Sequence, residues 1–432
     1  MLVGCGTSAD NAPHPPVETP SLPVPSSATS PESNPVAVTV PSAVNEVADP
    51  PSTALSAARA AAVGQSVNGL ASAMYARMSG GSSNLVFSPA SIHGAFAMTT
   101  LGARGETATE LQHALFVPAG DDARLRDEGT LQQTWNAPRP GRTFRVVNRL
   151  FGEATMHFEE PYLAMLRESF ASPLEPTDFR QAFAAARVHI NDWVATSTEQ
   201  RILDLLPVTA LDASTSLVLV NAVYLDAHWA EPFEANQTSS APFNVANGAP
   251  VNVPMMRRRG DIRMAEVDGA QIVELPYEGS DLAMRFILPP AGSENAWVTE
   301  AHLASPNFAA QEINLFLPKF RIEPTESVAL RDHMQALGVQ RAFNEHDADF
   351  TAIATFPNPE QRLYISQAFH RAFIRVDESG TEAAAATAIV MARGGGMPLP
   401  VPEVRFDRPF LFQLVDVSSG ATLFLGRVTN PS

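Results

Sequence analysis

Cysteine is nearly absent from this 432-residue chain: Cys5 is the only one. That excludes an intrachain disulfide framework and any metal centre built on clustered thiolates. Histidine offers no substitute, because the ten copies are scattered and His333 and His346 frame no HExxH-type spacing. No metal and no cofactor are expected. No apolar run approaches the ~20 residues that a helix needs to cross a bilayer. Lysine is as rare as cysteine, since Lys319 stands alone and arginine supplies the rest of the basic charge. Even so, 29 basic residues face 46 acidic ones, a net charge of -17. That charge argues against nucleic acid or an anionic membrane surface as partner, and its spread along the chain, without blocks, points to a solvated acidic surface.

What the chain does have is apolar substance, 45% of its residues, enough for a large core. Residues 6–52 stand apart. Pro, Ser, Thr, Ala and Val dominate "PHPPVETPSLPVPSSATSPESNP" without hydrophobic periodicity, so this stretch is expected to be a disordered, extended linker. In front of it, "MLVGCG" resembles the end of a bacterial lipoprotein signal. That resemblance implies a lipidated Cys5 and a domain tethered outside the cytoplasm, with the lipid as the only link to a membrane. The plain alternative is an incidental cysteine in a disordered leader. The folded domain is expected over 53–432.

Within it, "ARAAAVGQSVNGLASAMYARM" carries apolar residues at helical spacing and is broken by Gly80–Gly81. "SPASIHGAFAMTTLGA" predicts a second helix, entered through Ser88 as N-cap with Pro89 in the first turn. "GETATELQHALF" places Thr107 and Glu110 at capping-box spacing. "ARVHINDWVATSTEQRILDLL" predicts an amphipathic helix with a break. "SLVLVNAVYL" is apolar on both faces and predicts a central strand in a covered sheet. "ELPYEGSDLAMRFILPP", "INLFLPKFRI" and "AFHRAFIRVD" predict further strands, and "RPFLFQLVDVSSGATLFLGRVTNP" a hairpin turned at Ser418–Ser419–Gly420. Helices lead and strands follow, so the class is α+β with a large mixed sheet.

One stretch resists assignment. "DESGTEAAAATAIVMARGGGMPLP", Asp377–Pro400, reads as helix by propensity and as strand by pattern, with Thr381, Ala383, Ala385, Thr387 and Ile389 on one face.

Four segments together resemble the serpin family: "NLVFSPASI" at 84–92, "LVNAVYLDAHW" at 219–229, "FHRAFIRVDESGTEAAAATA" at 369–388, and the closing "RPFLFQLVD…FLGRVTNP". The resemblance spans the chain from about Leu55 to Ser432. It implies three β-sheets with eight to nine helices and an exposed reactive-centre loop, which falls on the ambiguous stretch. It implies suicide inhibition of a serine protease by a monomer that is no enzyme. The loop is cut, and its N-terminal arm inserts into the main sheet before the acyl-enzyme hydrolyses.

The residues suit that implied role. Gly380 permits a sharp turn. Thr381, Ala383, Ala385, Thr387 and Ile389 are uncharged and small enough where a packed sheet must receive them. Glu382, Ala384 and Ala386 fall in the opposite register. No proline lies between Gly380 and Met397 to remove a ladder donor. By motif match, a polar cluster beneath the parting strands comprises Ser88, Ser91, Asn221 and His370. Trp229 matches the opening end of the sheet, and Lys319 the partner of a carboxylate before the hinge, here Glu378. A hydrolase reading of the Ser and His residues lacks both a GxSxG elbow and an acidic neighbour for His370.

The scissile bond has three candidates by spacing. Counting from Gly380 lands on Gly394, or on Arg393 in shorter members, while counting back from "PEVRF" lands near Pro398. Arg393–Gly394 is favoured because arginine fills an acid-floored pocket, implying a trypsin-like protease. Cleavage after Gly394, Met391 or Met397 implies elastase-, subtilisin- or chymotrypsin-like targets. The competing function is a non-inhibitory serpin, a binding or structural protein whose loop is cleaved as a plain substrate.

Overall fold

The computed structural model describes residues 55–246, 248–292, 300–303, 306–356, 361–381 and 401–432. Cys5, the linker over 6–52 and loop residues 382–400, including Glu382 to Thr387, Arg393 and Gly394, lie outside the described residues.

Helices open the domain. Ala57–Met78 is capped by Ser56, whose hydroxyl accepts the Arg59 N–H, and stops at Ser79, before the glycine pair. Pro89–Leu101 is buried along its whole length, which explains why its sequence shows no polar face. Ser88 caps it as expected, accepting the Ser91 N–H at 3.2 Å. Six further α-helical segments follow: Gly105–Ala114, Asp122–Asn136, Glu160–Phe170, Phe179–Ser197, the single turn Glu300–Leu303, and Leu330–Ala336. The helix expected from "GETATELQHALF" forms without its capping box. It starts at Gly105, two residues ahead of Thr107, so Thr107 and Glu110 are free for other strands of the chain. Thr107 accepts the Asp349 N–H, and Glu110 accepts the N–H groups of Gln340 and Arg341.

Strands make three sheets among the described residues, of nine, eight and two members. Antiparallel neighbours Ala270–Pro276 and Leu282–Leu288, and the closing hairpin Phe410–Asp416 with Thr422–Val428, belong to the nine-stranded sheet. The segment "INLFLPKFRI", expected as one strand, is two. Ala309–Pro318 pairs within the nine-stranded sheet, and Phe320–Ile322 within the eight-stranded one. Pro318 still lies opposite Met255 and the Lys319 N–H donates to the Pro254 carbonyl at 2.9 Å, so the chain crosses between sheets just beyond and leaves Lys319 at the joint.

The eight-stranded sheet carries the central strand Leu217–His228, antiparallel to Arg142–Glu153 and parallel to Ile365–Ala372. One hydrophobic cluster lies between the sheets, with Trp229, Tyr277, Phe286 and Phe410 among its members. A second packs the leading helices onto both sheets. A third lies beneath helix Phe179–Ser197, whose Phe179, Ile190 and Val194 cover Val218, Val220, Ala222 and Phe369. Phe151 of Arg142–Glu153 joins the same cluster and meets Trp193 of the helix edge-on, so the helix covers this face of the eight-stranded sheet at Arg142–Glu153 and the central strand.

Close packing makes a direct prediction at Gly426. A Cβ there would sit 2.2 Å from the Phe412 ring and 2.3 Å from the Leu85 carbonyl oxygen. Gly426→Ala is expected to lower stability by about 1–3 kcal/mol through overpacking, read as a drop in Tm by calorimetry.

Candidate functional site

Two parallel strands meet along a seam that is closed at one end and wedged open at the other. Leu217 to Val223 pairs with Ile365 to Ala372. Above Ala372 the partner strand continues as Ile374–Val376 but no longer touches Leu217–His228. Between them sits a two-residue strand, Gly380–Thr381, set Gly380↔His228 and Thr381↔Ala227 on one side and Thr381↔Val376 on the other. A tight turn returns the chain into this position: Asp377 N–H donates to the Gly380 carbonyl at 3.0 Å, and the Asp377 carboxylate accepts the Ser379 N–H. Glycine is required at 380 because a Cβ would lie 2.0 Å from the Ala227 carbonyl oxygen. Thr381 is 1% exposed, and its hydroxyl meets the Tyr277 hydroxyl at 2.5 Å.

The open end is roofed by Trp229. Its indole stacks on Tyr277 with ring centroids 4.5 Å apart, and its Nε1–H donates to the Asp377 carbonyl at 3.0 Å. Its backbone N–H holds the Ser379 carbonyl at 2.9 Å. Lys319 reaches from the sheet crossing to Glu378, Nζ to Oε2 at 2.7 Å, while Thr238 donates to the other carboxylate oxygen at 2.8 Å. Burial pushes the Glu378 carboxyl upward, but the hydrogen bonds from Lys319 and Thr238 outweigh it and hold the group below the usual carboxylate range. Trp229, Lys319, Glu378 and Gly380 therefore converge on one turn. Sequence reasoning named all four and missed Tyr277 and Thr238. Both arrive from segments distant in sequence, 140 residues from Glu378 for Thr238 and 104 from Thr381 for Tyr277.

Beneath the closed half lies the polar cluster. Ser88, Ser91, Asn221 and His370 are all fully buried and bonded in series. His370 Nε2 accepts the Ser88 N–H at 3.0 Å, so that nitrogen carries no proton. The proton sits on Nδ1 and is donated to Asn221 Oδ1. Burial holds the imidazole pKa down to about 3, in keeping with this neutral tautomer near pH 7. Asn221 Nδ2 donates to Ser91 Oγ and, at 2.5 Å, to Asn148 Oδ1. Asn148 Nδ2 donates to the Ser91 carbonyl and to Gln132 Oε1. Ser88 Oγ gives its own proton to the Leu423 carbonyl at 2.6 Å.

Nothing here makes a nucleophile. Both nitrogens of His370 are engaged by neutral groups, and among the described residues no carboxylate touches it. Asn148 is the member that sequence reasoning missed. A signal existed: in "RTFRVVNRLFG" it takes the inward parity shared with Phe144, Val146 and Leu150, and an amide on an apolar face demands a buried partner.

Comparisons with known proteins agree with this geometry. Residues 65–431 match the family model described as "Serpin (serine protease inhibitor)". An uncharacterized serpin-like protein of Thermococcus kodakarensis is 37% identical over 375 residues, covering 84% of this chain and 85% of that one. Leukocyte elastase inhibitor A of Mus musculus is 34% identical over 362 residues, covering 81% and 93%. Among solved structures, human thyroxine-binding globulin complexed with thyroxine superposes with a TM-score of 0.75 at 25% identity, covering 87% of this chain and 100% of the other.

The His370 environment predicts a pH dependence. Its folded pKa, about 3, lies below the unfolded value near 6.5. The stability it contributes is complete above about pH 6.5 and drains away as pH falls toward 3. The slope from this one proton is at most about 1.4 kcal/mol per pH unit. Denaturant unfolding between pH 7 and 4 is expected to show a shallower acid loss for His370→Gln than for the unaltered chain. Equal slopes would count against the buried neutral imidazole.

Proposed function

Because the chain belongs to the serpin family, we propose that it is a suicide inhibitor of serine proteases that works by admitting its own cleaved loop into the seam. One observation carries the reading: the first two residues of the strand to be inserted, Gly380 and Thr381, already lie in register between the two strands that must part.

Continuing that register sets Ala383 between Leu225 and Ile374, Ala385 between Val223 and Ala372, and Thr387 between Asn221 and His370. The two sides agree. Val376 and Ala227, which flank Thr381, are separated by the same interval in sequence as Ala372 and Val223, which already pair. A strand can pass down the seam without slipping, and no flanking strand need shift along its axis.

The residues of the loop suit this path. The alternate positions 383, 385 and 387 carry Ala, Ala and Thr, which a packed interior accepts without overpacking. Thr387 brings a hydroxyl to the point where insertion separates Asn221 from His370, so the polar groups it parts gain a new partner. Each residue entering the sheet adds a backbone hydrogen bond worth about 1 kcal/mol net. The uncut loop is tied at both ends, by Thr381 in one sheet and by Glu403–Arg405 in the other, and cannot make the full traverse. Cleavage releases it, and the acyl-enzyme travels with it.

On this reading the target is a trypsin-like protease engaged through Arg393–Gly394. The inhibitor acts as a monomer outside the cytoplasm, held at the envelope through Cys5. The leukocyte elastase inhibitor among its relatives supports the inhibitory half of the family, and thyroxine-binding globulin shows the same fold carrying a small ligand.

Incubation with a panel of serine proteases, followed by SDS gels and mass spectrometry, tests the reading. A trypsin-like enzyme is expected to form an SDS-resistant complex and to release a peptide beginning at Gly394. If trypsin nicks the loop and keeps full activity, the chain is a non-inhibitory serpin. A second test addresses the hinge. Thr381→Arg would bury an unpaired charge where threonine is 1% exposed. It is expected to turn inhibitor into substrate, with stoichiometry of inhibition rising about tenfold or more. An unchanged stoichiometry would contradict hinge insertion.

A further inference from the structure

The closed end of the seam opens into a cleft of about 330 Å³. The residues just ahead of both seam strands line it: Thr215 and Ser216 before Leu217, Arg362 and Tyr364 before Ile365. Ser216 is 6% exposed, and its hydroxyl oxygen is buried without a hydrogen-bond partner. Its backbone N–H clasps the two strands together by donating to Ser366 Oγ at 2.9 Å. Arg362 sends one guanidinium nitrogen toward the Ala348 carbonyl at 3.4 Å, a long and weak bond. Glu345, largely exposed, stands at the rim. A buried hydroxyl donor, a guanidinium and a rim carboxylate in one cleft suit a ligand that carries both charges.

The register says which ligand arrives. Extending the Gly380–Thr381 alignment along the central strand sets Met391 against Leu217, where that strand begins. The next two residues, Ala392 and Arg393, then run past the strand end against Ser216 and Thr215. We propose that this cleft is the seat of a carboxy-terminal arginine, the one created at position 393 when the loop has been hydrolysed and inserted. Hydrolysis breaks the bond between the Arg393 carbonyl carbon and the Gly394 nitrogen. Water supplies the second carboxylate oxygen, and the departing amine takes a proton. Ser216 Oγ–H and the Arg362 guanidinium receive the new carboxylate, and Glu345 receives the arginine side chain. The cleft thereby holds the far end of the inserted strand, a role no uncut loop can fill. The inference rests on the insertion reading above, and the experiment separates the two.

The full chain is digested briefly with trypsin, and the protease-free product is isolated, sized by mass spectrometry, melted, and exposed to carboxypeptidase B, which removes carboxy-terminal arginine. A synthetic peptide of sequence ATAIVMAR is the reference. The expected result is an end at Arg393, a raised Tm, and trimming at least about tenfold slower than in the peptide, the factor that one charge-assisted hydrogen bond supplies. In the products of Arg362→Ala, Ser216→Ala and Glu345→Gln, trimming is expected to quicken by a similar factor while the rise in Tm persists. A product with raised Tm whose Arg393 is trimmed as fast as the peptide overturns the cleft proposal and leaves insertion standing. So does protection indifferent to all three substitutions, or an end at another residue. A Tm that does not rise overturns insertion itself.

Discussion

Two strands that pair along most of their length but are held apart at one end impose a condition on everything around them. On the proposed insertion, each must have a satisfied edge both where they touch and where a third strand lies between. Leu217–His228 and Ile365–Ala372 are in this position, and Gly380–Thr381 lies beyond the paired stretch, between the central strand and Val376. An ordinary sheet with this gap would close it, because unpaired backbone groups in an apolar interior are costly. The turn at 377–380 keeps it open, pinned by Trp229 above and by the Lys319–Glu378 pair at the side.

The polar cluster under the closed half follows from the same condition. An apolar seam would be easier to stabilise in one state, but it would give the strands no orientation-dependent bond to exchange for another. Asn221 and His370 meet directly, and their hydrogen bond exists only while the strands touch. Ser88, Ser91 and Asn148 anchor the two sides to the buried helix Pro89–Leu101 and to strand Arg142–Glu153. Among Ser88, Ser91, Asn221, His370 and Asn148 the hydrogen bonds offset much of the cost of burial, and the depressed pKa of His370 keeps an uncompensated charge out of the cluster.

Much of this was legible in the residues, for identifiable reasons. Ser88 announced a helix start because an N-cap hydroxyl followed by proline is a local arrangement, complete within a few residues. Lys319 stood out because it is the single lysine in an arginine-rich chain, and it does meet Glu378. Thr107 and Glu110 misled because their spacing fits a capping box, whereas the fold turns both toward segments more than two hundred residues away. The split of "INLFLPKFRI" between two sheets was not legible, because it depends on which distant strands lie beside each half.

By itself, the sequence determined what each stretch can tolerate: which residues are small enough to enter a sheet, where glycine or proline must stand, and which helix is buried on all sides. Those are properties of side-chain size, charge and backbone freedom, and they travel with the residue. Only the tertiary structure decided which strands lie beside the gap, that the residues flanking Thr381 keep the register of the paired residues Ala372 and Val223, and that Asn148, Tyr277 and Thr238 complete the surroundings. Such facts depend on contacts between residues far apart in the chain, and a sheet's alignment is set jointly by all its strands.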